Sequence, residues 1–110
     1  MVVEFSRQFL KDLKKHYSKQ KASNVIKRLA QTTSSEGDFV ALVANIVIRE
    51  KKEDSFRFYF IVQNNTKHIV TKQELDDMFI KFVALSKKNN QQHVIDTLRK
   101  DLKKDGYKFD

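Results

Sequence analysis

The chain has no cysteine, no proline and no tryptophan, and only two glycines in 110 residues. Without cysteine there is neither a disulfide framework nor a thiolate metal site, which fits a reducing compartment and a cytoplasmic protein. Gly37 and Gly106 are too few and too far apart for a glycine-rich phosphate loop. The lack of proline and glycine predicts one compact domain over residues 1–110, built of regular elements with no linker. No apolar run approaches the roughly 20 residues of a membrane span. The opening "MVVEFSRQFLKDLKKHYS" turns charged within four residues, so no signal peptide is expected. His16, His68 and His93 have no metal-ligand spacing, and neither a metal nor another cofactor is expected.

Positive charge is what the chain does have. Lysine and arginine number 22 against 14 acidic residues, a formal net charge of +8. A small body of that charge attracts polyanions: nucleic acid, an acidic protein or an anionic surface. Basic residues also serve simply to solvate helix faces. Their distribution argues for more. Lys11, Lys14, Lys15, Lys19, Lys21, Lys27 and Arg28 crowd the first quarter, and Lys87, Lys88, Arg99, Lys100, Lys103 and Lys104 crowd the end.

Periodicity gives an order of elements. "VVEF" at 2–5 reads as a short strand, and Ser6 as the N-cap of a helix with Phe9, Leu10, Leu13 and Tyr17 on one side. A second helix near 22–31 carries Ala22, Val25, Ile26 and Leu29. "QTTSSEGD" is a loop by composition. The later half of "FVALVANIVIRE" reads as a strand, "KKED" as a turn, "SFRFYFIV" as a second strand and "FIKFVALS" as the last. Val94, Ile95, Leu98 and Leu102 follow at helical spacing, with Asn89 or Asn90 to cap the helix and Gly106 to end it. "KHIVTKQELDDM" reads either as a strand extension or as a helical turn. The expected fold is α+β: an N-terminal helical hairpin on a small antiparallel sheet, followed by a C-terminal helix.

An arginine inside a run of aromatics, "DSFRFYFIV" at 54–62, bears on function. Strand alternation puts Phe56, Phe58, Phe60 and Val62 on one face and Arg57, Tyr59 and Ile61 on the other. If the helices cover the first face, Arg57 and Tyr59 line an open one. There a guanidinium pairs with phosphate and a ring stacks on an unpaired base. A surface arginine packed beside a tyrosine is the plainer alternative, and the strand alone does not choose between them. Asp76 and Asp77 are adjacent and read as solvated or capping residues.

Three stretches carry a resemblance: "EFSRQFLKDLKKHYSKQKASNVIKRL", "IVIREKKEDSFRFYFIV" and "FIKFVALSKKNNQQHVIDTLRKDL". In this order they resemble the RelE/ParE superfamily of bacterial toxins, and within it the HigB and RelE branches. The likeness runs over about residues 3 to 104. It rests on Phe9 and Leu13, on Arg49 ending a strand, on "FRFYF" with Arg57, and on "FVALSKKN" with Lys87 and Lys88.

The resemblance implies a ribosome-dependent endoribonuclease that cleaves mRNA without a metal and is silenced by an acidic antitoxin. It implies a monomer when free and a hetero-oligomer with the antitoxin. In that chemistry the 2′-hydroxyl attacks the adjacent phosphate, which requires a base, cations for the developing charge and an acid for the leaving oxygen. Arg57, Lys87 and Lys88 match the family's catalytic cations, and Arg49, Tyr59 and Lys81 are the further RNA-binding candidates; Arg49 reads equally as structural. Where the family carries a tyrosine near the start of the last helix, this chain has His93 and Val94. With a reference pKa near 6.5, His93 is the candidate for proton transfer, against a plain surface histidine. The stretch at 67–78, with Glu74, Asp76 and Asp77, is longer than the family's hairpin and brings negative charge toward the site. The alternatives are a non-catalytic protein on the same fold, such as a ParE-like gyrase inhibitor or an inactive toxin, and a stand-alone nucleic-acid-binding module.

Overall fold

A computed structural model describes residues 2–33, 36–43, 46–53, 55–63 and 79–105. Strand β1 (Val2–Phe5) leads directly into helix α1 (Arg7–His16) through Ser6. The Ser6 hydroxyl accepts the Phe9 amide at 3.1 Å, the N-cap interaction expected from the sequence, and its own amide donates to the Phe82 carbonyl at 2.9 Å. One buried serine therefore both starts the helix and ties it to the sheet. Tyr17 ends α1 in an extended conformation, and Ser18 caps helix α2 (Lys19–Leu29), accepting from the Lys21 amide. Lysines and arginines in the last turn of each helix complement its partial negative end.

The remaining elements are β2 (Asp38–Val43), β3 (Ile46–Glu53), β4 (Phe56–Gln63), β5 (Phe79–Lys87), a 3₁₀ turn (Lys88–Asn90) and helix α3 (Gln91–Asp105). The five strands form one sheet in the order β1-β5-β4-β3-β2. β1 runs parallel to β5, and every other pair is antiparallel.

The chain is therefore α+β with a mixed sheet and three helices. An N-terminal helical hairpin on a purely antiparallel sheet does not describe it. A strand precedes the helices and enters the sheet beside the last strand. The early half of "FVALVANIVIRE" is a strand of its own, and "KKE" continues β3 rather than turning. Lys51 and Lys52 stay in the ladder because their partners Phe58 and Arg57 continue β4 across from them. The expectations for "KHIVTKQELDDM" and Gly106 fall outside the described residues.

Both faces of the sheet are covered. On one, Phe58, Phe60, Val62, Ile80, Phe82 and Leu85 pack under Phe9, Leu13, Ala22, Val25 and Leu29 of α1 and α2. Phe9, Phe60 and Phe82 meet ring against ring, with centroids 5.1–5.7 Å apart for the Phe9–Phe82 and Phe60–Phe82 pairs. On the other face α3 sets Ile95, Leu98 and Leu102 against Ile46, Ile48, Tyr59, Ile61 and Val83. That face is too apolar to stay in water, since each large aliphatic side chain contributes about 1.5–3 kcal/mol when fully buried. The open concave side expected beneath Arg57 and Tyr59 is thus filled by the C-terminal helix.

Candidate functional site

Polar residues on the α3 face gather at one end of the sheet, where β3 ends at Glu53, β4 begins at Phe56 and β5 ends at Lys87. Arg57 of β4 stands opposite Lys52 on one side and Ser86 on the other. Two residues along, Tyr59 stands opposite Glu50. Arg57 and Glu50 are therefore diagonal neighbours on one face, at the roughly 7–8 Å spacing that long side chains bridge.

Burial decides what these groups can do. Tyr59 is fully buried, and its hydroxyl shares a 2.9 Å hydrogen bond with Ser86 Oγ, also buried. Burial pushes the phenol up from its ordinary value of 10.0; Glu50 adds to the rise, while the Ser86 bond and the Arg57 charge oppose it. A ring so enclosed cannot stack on an RNA base, which corrects the expected role of Tyr59. Glu50 is buried too, and neither its Oε2 nor the enclosed Arg57 Nε has a hydrogen-bond partner among the described residues. Arg57 as a whole remains only half-buried. Its inner nitrogen is thus withdrawn from water beside a carboxylate and a phenol, and the side chain keeps access to solvent.

Lys87 ends β5 opposite Phe56, exposed, with its ammonium 6.0 Å from the centre of that ring. Its side chain therefore lies toward the α1–α2 side, while Arg57 lies toward α3. Lys88 opens the 3₁₀ turn, also exposed. Asn90, expected to cap α3, is instead the third residue of the 3₁₀ turn, and its side chain accepts the Lys87 amide at 2.8 Å, which ties down this corner. With Lys52, four cations surround the end of the sheet. Of the nearby acids, Glu53 is engaged by Arg28 in an ion pair.

Three expected site residues lie elsewhere. Arg49 points to the opposite face and holds the β2 approach, donating from Nε to the Glu36 carbonyl at 2.8 Å and from Nη2 to that of Gly37 at 2.9 Å. It is structural, the second of the readings its position allowed. Gly37 itself has φ +74°, and a Cβ there would collide with the Glu50 carbonyl oxygen. Lys81 is 8% exposed, with its ammonium 4.0 Å from Glu4. It lies five residues along β5 from Ser86, about 16 Å at strand rise, so it is no part of the Arg57 cluster. His93 is exposed on the first turn of α3 and lines a cleft of about 300 Å³ with Gln8, Asp12, Thr97 and Asp101. That cleft opens on the α1 side of β5, across the strand from Arg57.

Glu50, Lys52 and Ser86 were not legible as site residues. Pairing register alone brings them to Arg57; "REKKED" and "ALSKKN" read as polar strand ends. Among the described residues no three histidine or acidic side chains group as metal ligands do. No described helix is long and apolar enough to cross a membrane. Comparison with protein-family models, with curated proteins and with solved structures finds no match for this chain.

Proposed function

We propose that this chain is an mRNA-cleaving toxin of a toxin–antitoxin pair, acting on the ribosome, with the Arg57 end of the sheet as its phosphate site. One observation carries the reading. A permanently charged guanidinium is held half-buried, its Nε desolvated on the face of Glu50 and Tyr59, with exposed Lys52 opposite it and exposed Lys87 and Lys88 at the same end of the sheet. A cation preorganised in this way stabilises charge developing on phosphorus better than a freely rotating one. The resemblance of the sequence to RelE/ParE toxins points the same way.

The reaction proposed is an internal transesterification. The 2′-oxygen bonds to phosphorus as its proton passes to a base, and the bond from phosphorus to the 5′-oxygen breaks. The 5′-oxygen then takes up a proton, leaving a 2′,3′-cyclic phosphate and a 5′-hydroxyl. Arg57 holds the phosphate, with Lys52, Lys87 and Lys88 tracking the backbone around it. His93 is offered for proton transfer, which requires the RNA to pass over the end of β5 to the α1 side. An acidic antitoxin would silence the chain by covering the same cations.

The decisive experiment is to induce the chain in cells and map the 5′ ends of cleaved mRNA, for wild type and for Arg57→Ala. New ends with the wild type, lost in a folded Arg57→Ala, support the reading; the same ends in both overturn the role of Arg57. A second reading, a non-catalytic binding protein on this fold, is favoured by the burial of Tyr59 and by the placement of His93. It predicts growth inhibition with no new mRNA ends.

A further inference from the structure

We propose that the outer edge of β2 is a docking strand for an extended segment of an acidic partner protein, whose residues alternate apolar and acidic. β2 is the last strand of the sheet, and among the described residues no strand pairs with its outer side. Edges of this kind are the usual templates for an added strand. Phe39 and Leu42 are the two exposed large hydrophobics of the described chain, each 61% exposed, and both lie on this one strand.

The register explains why they act together. Phe39 pairs with Arg49 and Leu42 with Val47, so the two side chains share a face although they are three residues apart. Plain alternation would have put them on opposite faces. The irregularity at Val40, between Phe39 and Ala41, makes the difference. It gathers the apolar pair on the α1–α2 side of the edge.

The other side of the edge is basic. Ala41 and Val43 point toward α3, and there Arg99 and Lys103 border the same groove, of about 460 Å³. One helical turn apart, these two exposed side chains lie on one stripe of α3. A sixth strand along β2 therefore meets two chemistries in alternation. Side chains on one of its faces land against Phe39 and Leu42, and those on the other against Arg99 and Lys103.

Charge selects the occupant. A second copy of this chain would bring "DFVALV", with the single carboxylate of Asp38, to meet two cations. It would also place a second Arg99 and Lys103 near the first, on a body already carrying +8. Like charges so placed oppose pairing. An acidic segment from a different protein supplies the missing carboxylates. This surface lies at the β2 edge, apart from the Arg57 end, and holds whether or not the chain cleaves RNA.

The test uses the full chain and two synthetic peptides, one alternating valine with glutamate and one alternating valine with lysine. Fluorescence anisotropy should show the glutamate peptide binding, with affinity falling as salt rises, and the lysine peptide binding at least about tenfold more weakly. The Arg99→Glu/Lys103→Glu variant should reverse that order. Methylating alternate backbone amides of the glutamate peptide should abolish binding to the unaltered protein, which keeps the test independent of any variant's folding. Slowed amide exchange over residues 38–43 would place the peptide on the edge. Failure of the glutamate peptide to bind, or equal affinity for the charge-reversed variant, overturns the proposal. So does concentration-dependent dimerisation that Leu42→Asp removes, which would make a second copy the occupant.

Discussion

Replacing Tyr59 by phenylalanine separates a buried strand residue from an RNA-stacking one. The substitution keeps the ring and deletes only the hydroxyl, which lies 2.9 Å from Ser86 Oγ in a site closed to water. The lost hydrogen bond costs about 0.5–1.5 kcal/mol, and a buried hydroxyl left without its partner raises the loss to about 1–3 kcal/mol. At about 4–8 °C per kcal/mol for a domain near this size, the melting temperature should fall visibly. Ser86→Ala in the same background should recover most of the loss, because removing both partners leaves no orphaned group. Urea unfolding of the two single variants and the double variant measures the coupling directly. Alkaline titration adds a second signature. Because the folded phenol titrates above 10.0, its contribution is complete below that pH and is lost as pH rises through the folded value. Tyr59→Phe should lose stability less steeply over that range. A change below about 0.5 kcal/mol, the scale of ordinary surface substitutions, together with lost RNA binding, would refute the buried assignment.

Lys52→Ala and Lys88→Ala should each weaken RNA binding and lower the salt-dependence slope by about 0.7, the value for one phosphate contact on a single strand; unchanged slopes would remove these lysines from the backbone track. His93→Gln should reduce cleavage by about 10²–10⁴-fold with little change in affinity if His93 transfers a proton. Unchanged cleavage returns it to the surface. At the other side of the sheet, Lys51 donates to Glu36 at 2.9 Å and holds that carboxyl below its ordinary 4.5, with burial opposing and the charge of Lys51 and bonds from Thr33 assisting. The stability this adds is present above pH 4.5 and lost as pH falls through the lowered folded value. Lys51→Gln should therefore flatten the acid limb of the stability curve, and an acid limb identical to wild type would show that the pair contributes nothing.

Much of the scaffold was legible. Ser6 before an apolar i, i+3/i+4 pattern located α1, and the phenylalanine alternation of β4 named the wall of the first core correctly. The second core was hidden for a physical reason. Val94, Ile95, Leu98 and Leu102 declare an amphipathic helix, but their period carries no information about which sheet face receives it. Ile48, Ile61 and Val83 are the matching partners, and they sit on three different strands. Only after the register is known do they form a patch that a helix must cover. β2 escaped for a similar reason: Ala41 and Leu42 are not β-branched, and no glycine or proline separates β2 from β3.

The covered face changes what the charge of this protein can mean. On an open sheet, Arg57 and Tyr59 would be recognition elements, free to meet a polyanion together. With α3 in place the two part company: Tyr59 becomes a packing residue whose hydroxyl is spent on Ser86, and Arg57 is left as the charged end of an otherwise apolar layer. A buried carboxylate is costly unless a cation is near, and the register makes Arg57 the diagonal neighbour of the buried Glu50. Arg57→Ala should therefore be destabilising as well as inactivating, whereas Arg57→Lys keeps the charge beside Glu50 and loses only the guanidinium fork. If Arg57→Lys folds as stably as wild type but no longer cleaves or binds RNA, the guanidinium has a role beyond balancing Glu50. If Arg57→Lys retains full activity, its charge alone suffices, and the case for a shaped phosphate site at this end of the sheet falls.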